Sequence, residues 1–253
     1  MDEELRRAIG LADVCELMAA AWAFPTAELA AALADGAFEG DASAAVEDAG
    51  ATDSEAAQAV SALRGFLGIG GDGDTAEDAG AVESGGGAEG SDELFSVLRK
   101  GYSLLFLAPG SEVPVFPYES AFRHRALGAA GAPALFRSPV TLDVERQMRA
   151  AGVTPADART EPADSVWNEF AFLSYGWGKV AEALDIGDVE AGRKWRDVAT
   201  RFWRDHGALW LPAFMEKTIE EAAELSAPAW GAPYRCFAAF GLRACRLLAE
   251  CAD

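Results

Sequence analysis

Histidine is nearly absent from this chain: His124 and His206 are the only two among 253 residues. Imidazole catalysis and multi-histidine metal sites therefore have little to draw on. The four cysteines, Cys15, Cys236, Cys245 and Cys251, form no C-x-x-C pair and no zinc spacing with the histidines, so reduced, mostly buried thiols are expected. No apolar run approaches the roughly 18 residues that a membrane span needs. Almost no segment alternates apolar and polar residues, which leaves no basis for a sheet. The chain also has no H-E-x-x-H zinc motif, no G-x-x-x-x-G-K-[ST] phosphate loop and no G-x-S-x-G serine near a histidine. A catalyst is not expected.

Acid is abundant. The 41 acidic and 21 basic residues give a net charge of −20, which disfavours nucleic acid and anionic membranes as partners and suits basic peptides. The surplus is uneven: residues 1–100 hold 21 acids and 5 bases, the remainder 20 acids and 16 bases. Much of the negative charge thus serves solubility as readily as binding. Arg6-Arg7 near the start is not expected to begin an export signal, because Asp2, Glu3 and Glu4 precede it and Asp13 and Glu16 interrupt the apolar residues after it. Leu5, Ile9, Ala12, Ala19 and Trp22 instead mark one face of an amphipathic helix, and a cytoplasmic protein is expected.

Helical periodicity predicts an all-α bundle of about ten helices in one domain, 1–253, with 1–135 and 136–253 as candidate subdomains. The predicted helices are Asp2–Phe24, a short one capped by Thr26 and reaching Leu33, one from Ser54 carrying Val60, Leu63, Phe66 and Leu67, and one capped by Ser91 that ends before Pro109-Gly110. Short helices come next at Glu119–Leu127 and Thr141–Ala151, then longer ones at Pro162–Leu184, Val189–His206, Leu211–Leu225 and Tyr234–Cys251. Gly68–Gly90 is glycine, alanine, serine and acid, and is expected to be a flexible acidic loop. Gly68, Gly70 and Gly73 match G-x-G-x-x-G formally, but a helix precedes them and Asp72 and Asp74 would repel phosphate. Asp72, Asp74 and Glu83 echo a calcium loop, yet Ala76 and Glu77 stand where a ligand and glycine are needed.

Three stretches are too particular for bundle filler. The first runs Tyr102-Ser-Leu-Leu105-Phe106-Leu-Ala-Pro109-Gly110, with Pro117-Tyr118-Glu119-Ser120 shortly after it. The second is Glu161-Pro162-Ala-Asp164-Ser165, opening a helix with Trp167, Phe170, Phe172 and Leu173. The third is His206-Gly-Ala-Leu-Trp210-Leu-Pro212-Ala-Phe214. Over roughly residues 94–250, in this order, they resemble the TorD/DmsD/NarJ family of redox-enzyme maturation chaperones. Its members carry an aromatic-x-x-Leu-Phe-x-x-Pro segment, a proline-rich turn ending near Glu-Ser, a Glu-Pro-x-Asp-His turn and a late His-x-x-x-Trp-x-Pro-x-Phe. Ser165 stands where that family usually has histidine, which puts in doubt any role assigned to it.

The resemblance implies an all-helical, non-catalytic chaperone. It would hold the twin-arginine signal peptide, and often the body, of a molybdopterin oxidoreductase catalytic-subunit precursor until cofactor insertion and folding are complete. It also implies a monomer or domain-swapped dimer, weak guanine-nucleotide binding and no resident cofactor. The peptide-binding residues it implies are Tyr102, Leu105, Phe106, Pro109, Tyr118, Glu119, Glu161, Pro162, Asp164 and Ser165. Physical chemistry supports such a site, because a leader with two guanidinium groups and an apolar segment needs carboxylates beside an apolar groove. Glu161 and Asp164 would supply the acids, Tyr102, Phe106 and Trp167 the walls. Asp164 is expected to form a desolvated pair, with Asp164→Ala weakening peptide binding while leaving helicity unchanged.

Simpler roles stand beside these. Asp164 can be a first-turn acid favoured by the helix dipole, and Leu105 or Phe106 can be core. His206 can cap a helix C-terminus, with Trp210, Pro212 and Phe214 starting and packing the next helix. Three rival functions remain open: a NarJ-like chaperone for a non-exported molybdoenzyme, a small helical nucleotide-dependent or hydrolytic enzyme, and an acidic scaffold.

Overall fold

The computed structural model describes residues 2–51, 53–65, 88–107, 113–128, 130–131, 134–154 and 161–252. Among them it shows eleven α-helices, one π turn and no strand. They are α1 (Glu3–Trp22), α2 (Ala27–Asp35), α3 (Ala37–Asp48), α4 (Ser54–Gly65), α5 (Ala88–Phe106), α6 (Glu119–Ala126), α7 (Pro139–Ala150), α8 (Val166–Asp185), α9 (Val189–Phe202), the π turn (Trp203–Gly207), α10 (Ala208–Ala223) and α11 (Pro228–Ala252). The all-helical bundle predicted from periodicity is what the chain forms.

Local chemistry explains most boundaries. Asp2 caps α1, and the Thr26 hydroxyl accepts the Leu29 N–H at 3.2 Å to start α2. Asp53, rather than Ser54, caps α4 by accepting from Ala56 N–H at 2.9 Å. Ser138 caps α7 with Pro139 in the first helical position, where its missing N–H costs nothing. Helix α3 was not anticipated: Gly36, at φ 84°, lets the chain leave α2 and restart at once. Helix α5 begins three residues before Ser91. The expected loop at 68–90 otherwise lies outside the described residues, as does Pro109-Gly110.

Two further corrections concern the C-terminal half. The helix expected from Pro162 starts at Val166, with Ser165 as its cap and Glu161–Asp164 forming a turn. The expected break between His206 and Leu211 is instead a π turn that joins α9 to α10 without interruption. Pro212 lies inside α10 and cannot donate to the carbonyl four residues back, so the hydrogen-bond ladder here is already irregular. Gly207 is required by packing, since a Cβ there would lie 2.6 Å from the Trp203 ring.

Helix α1 lies along α8 and against α3, α11 packs on α10, α4 and α5, and α9 packs on α8. At the centre Trp22 is ringed by Phe214, Phe106, Tyr234 and Phe237, at centroid distances of 5.0, 5.9, 6.3 and 6.5 Å. Several of these contacts are edge-to-face, the arrangement that the ring quadrupole favours. Cys15 and Cys245 are buried, Cys236 and Cys251 half-buried, and all four are free thiols. Among the described residues no single helix is long and apolar enough to cross a membrane.

Candidate functional site

Helix α6 begins with an unsolved problem, because its cap residue Tyr118 has extended backbone and no side-chain oxygen bonded to the first turn. The turn 161–165 solves it from a distance. Glu119 N–H donates to the Asp164 carbonyl at 2.8 Å and Ser120 N–H to Asp164 Oδ2 at 2.8 Å. In return Val166 N–H donates to the Pro117 carbonyl at 3.0 Å, which makes Tyr118 and Ser165 an isolated antiparallel bridge. Ser165 Oγ accepts the Asn168 N–H at 3.3 Å, so this hydroxyl starts α8.

Behind this bridge lies a knot of buried charge. Glu119, Asp164 and Glu169 are each fully buried, and His206 nearly so. Glu119 Oε1 accepts from Arg123 Nη1 at 2.5 Å, and Oε2 lies 2.8 Å from His206 Nδ1. His206 Nε2 lies 3.2 Å from Asp143 Oδ2 on α7, at the surface. Trp210 Nε1 donates to Glu169 Oε2 at 2.9 Å. Residues of the first, second and third motifs thus meet in one hydrogen-bonded chain. Three stretches far apart in sequence serve one cluster.

The environment moves the ionisations in definite directions. Burial, then the charge of Glu119, raises the Glu169 carboxyl well above its ordinary range. Burial also raises Asp164, opposed by its hydrogen bonds from Ser120. For His206, burial acts downward, but the bonds and charges of Glu119 and Asp143 outweigh it and the net shift is upward. Among the described residues no group of three or more His, Cys, Asp or Glu is arranged to hold a metal.

The residues named from sequence divide into two sets. Tyr102, Leu105 and Phe106 have their side chains in the core, and Glu119, Asp164 and Ser165 belong to the knot. Pro162 is also buried, and its carbonyl takes the Asn168 side-chain amide at 3.2 Å. Pro109 lies outside the described residues. Tyr118 and Glu161 are half-buried and adjoin: burial, then the nearby Glu161 charge and a hydrogen bond with it, raises the Tyr118 phenol. Burial, then Glu161, likewise raises Tyr102. Trp167 packs edge-on against Tyr118 at 5.9 Å, and Phe24, 47% exposed, packs against Tyr102 at 5.3 Å. Glu161 therefore lies close to Tyr118, whose ring packs on Trp167.

Asp164 requires a correction. Enclosed and already accepting the Ser120 N–H, it has no surface for a ligand in this conformation. Asp164→Ala is accordingly expected to destabilise the fold by about 2–3 kcal/mol, the cost of an orphaned buried N–H and a lost cap. Asp164→Asn, which keeps an acceptor, should cost under about 1 kcal/mol. Thermal melts of the two variants check this, and equal midpoints would remove the capping role. Glu169 was missed, although the sequence carried a signal. It sits on the apolar stripe Val166, Phe170, Leu173 and Trp177, where a glutamate is out of place.

In this all-α bundle the three sequence motifs converge on one buried polar knot, with Glu161 and Tyr118 at its edge. Residues 49–216 match the family model described as nitrate reductase delta subunit, and the chain belongs to this NarJ/TorD-type chaperone family. No curated protein and no solved structure matches the chain.

Proposed function

We propose that the protein is a cytoplasmic chaperone that holds the N-terminal segment of a molybdopterin oxidoreductase catalytic subunit, with its twin-arginine signal, until cofactor insertion and folding are complete. Membership of the family supports the coarser statement that it serves molybdoenzyme maturation. The observation that carries the finer one is the half-buried carboxylate Glu161 close to Tyr118, whose ring packs edge-on against Trp167. Guanidinium is planar and weakly hydrated: it pairs with carboxylate through two parallel bonds and stacks on aromatic faces. A half-buried acid beside an aromatic ring suits it better than the compact, strongly hydrated ammonium of lysine. Phe24 and Leu107, about half exposed, offer apolar contact to the segment after the arginine pair.

In this reading Tyr118, Glu161 and Trp167 meet the ligand, and Tyr102 supports them from the core. Leu105, Phe106, Glu119, Pro162, Asp164 and Ser165 fix those residues from behind. Titration calorimetry with a signal peptide and its Lys-Lys counterpart tests it: the Arg-Arg form is expected to bind about tenfold more tightly. Equal affinities would favour the second reading, a NarJ-like chaperone for a non-exported molybdoenzyme whose N-terminus carries only a vestigial signal.

A further inference from the structure

The knot contains a pair that lacks a hydrogen atom. Glu169 lies against Glu119 within hydrogen-bonding reach, and both are sealed from water. Two ionised carboxylates are acceptors only, so this contact becomes a bond only when one of them is protonated. Glu119 is the ionised member: its oxygens are held by the Arg123 guanidinium and by His206, in turn held by Asp143. Glu169 has one neutral donor, Trp210 Nε1 at Oε2, and Oε1 meets no N–H or O–H. The proton therefore sits on Glu169 and is donated to Glu119.

Other charged groups reinforce that assignment. Asp164, from the turn, adds a third buried carboxyl facing Glu169. The buried faces of α1, α9 and α10 carry no acidic or basic side chain, and Arg243 on α11, which also meets the π turn, is paired with Asp53. The nearest cations, Arg123 and His206, are both engaged by Glu119, so ionisation of Glu169 would set it against Glu119 at low effective dielectric. Glu119 is also the first residue of α6, and its N–H closes the bridge to Asp164. A push on its carboxylate thus acts directly on the joint between residues 117–120 and 164–166.

We propose that Glu169, Glu119 and His206 form a proton-operated latch, closed when Glu169 carries its proton and loosened when it ionises, that governs the seam bearing Tyr118 and Glu161. The hydrogen-bonded path Glu169–Glu119–His206–Asp143 leads from the sealed carboxyl to the surface and is the route by which the proton leaves. The direction comes from the upward shifts. A carboxyl raised in the folded state stabilises fully below about pH 4, where the unfolded chain is also protonated, and loses that contribution as pH rises through its folded value. His206, likewise raised, contributes below about pH 6.5 and is lost on the same side. The seam tightens in mild acid and loosens in mild base. Its consequence for client binding rests on the function proposed above, but the latch itself does not.

Hydrogen exchange without any client tests it. From the acid to the alkaline end of the range in which the protein stays folded, after correction for intrinsic rates, protection at the Glu119, Ser120 and Val166 amides should fall about tenfold or more in the wild type. In Glu169→Gln, whose amide donates to Glu119 without ionising, the fall should be distinctly smaller, only the part due to His206 remaining. Amides in the middle of α11 should not change in either protein. Equal falls in both proteins, or none in the wild type, would overturn the latch. Should the variant not fold, the wild type alone decides: pH-difference infrared spectra must lose the carbonyl band of a buried protonated carboxyl over the same interval, and its absence at low pH refutes the assignment.

Discussion

Replacing Gly101 by alanine should lower the thermal midpoint by about 2–12 °C, while the same replacement at Gly178 should raise it slightly. Both glycines lie inside long helices, α5 and α8, where alanine is normally favoured by about 0.5–1 kcal/mol. What separates them is the neighbour. A Cβ at Gly101 would lie 2.1 Å from the Trp230 carbonyl oxygen and 2.9 Å from the Tyr234 ring, whereas at Gly178 nothing lies within 4 Å. The Trp230 carbonyl is backbone and cannot rotate away, so α5 and α11 must separate by about an ångström. That crossing also holds the Tyr234 hydroxyl to the Leu98 carbonyl at 2.9 Å, and Tyr102 and Phe106 against Tyr234 at 6.2 and 5.4 Å. Overpacking of this kind costs about 1–3 kcal/mol or somewhat more, and the loosened aromatic contacts add to it. Differential scanning calorimetry on the two variants is sufficient, and a neutral Gly101→Ala would mean that α5 and α11 do not cross as closely as described.

The same crossing shows what a sequence can and cannot disclose. The stripe Leu94, Leu98, Tyr102, Leu105, Phe106 announced an amphipathic helix, because an apolar side chain every three or four residues has one economical solution. It could not say whether Tyr102 and Phe106 faced a client or a core, since the same stripe serves both. Helix α3 escaped notice because half of its buried face is alanine, with Phe38, Ala42, Ala45 and Val46 at the correct spacing but little hydrophobic contrast. Gly207 and Pro212 suggested a break, yet a π turn accommodates both, a solution set by Trp203 packing and not by local propensity. The motifs were legible as motifs. Asp164 looked like a ligand because nothing local reveals that it caps a helix 44 residues earlier. His206 looked like an end cap, but its partner, Glu119, lies 87 residues away.

Reversing the charge of Glu161 is the functional counterpart, and Glu161→Lys is expected to weaken binding of an Arg-Arg peptide by about 10–100-fold, or about 1.4–2.8 kcal/mol. A carboxylate in full solvent would contribute at most about 1 kcal/mol to such a pair, and one fully enclosed several. Glu161 is between these limits: half-buried and close to the Tyr118 phenol, which itself packs edge-on against Trp167. Glu161→Gln should fall between wild type and Glu161→Lys, because the amide keeps an acceptor for an arginine N–H but not the charge. In a chain carrying −20, any lost acid weakens a cationic ligand slightly through the long-range field, so a remote control is needed. Glu47→Lys on α3 changes the net charge identically at a solvent-exposed position. At about 0.15 M salt, where screening acts over about 8 Å, it should alter affinity less than about twofold. If both reversals weaken the peptide alike, attraction is diffuse and the Tyr118–Glu161 face loses its claim. If only Glu161→Lys does so, the guanidinium is held at that carboxylate, and the difference between the two variants measures how far its surroundings have desolvated it.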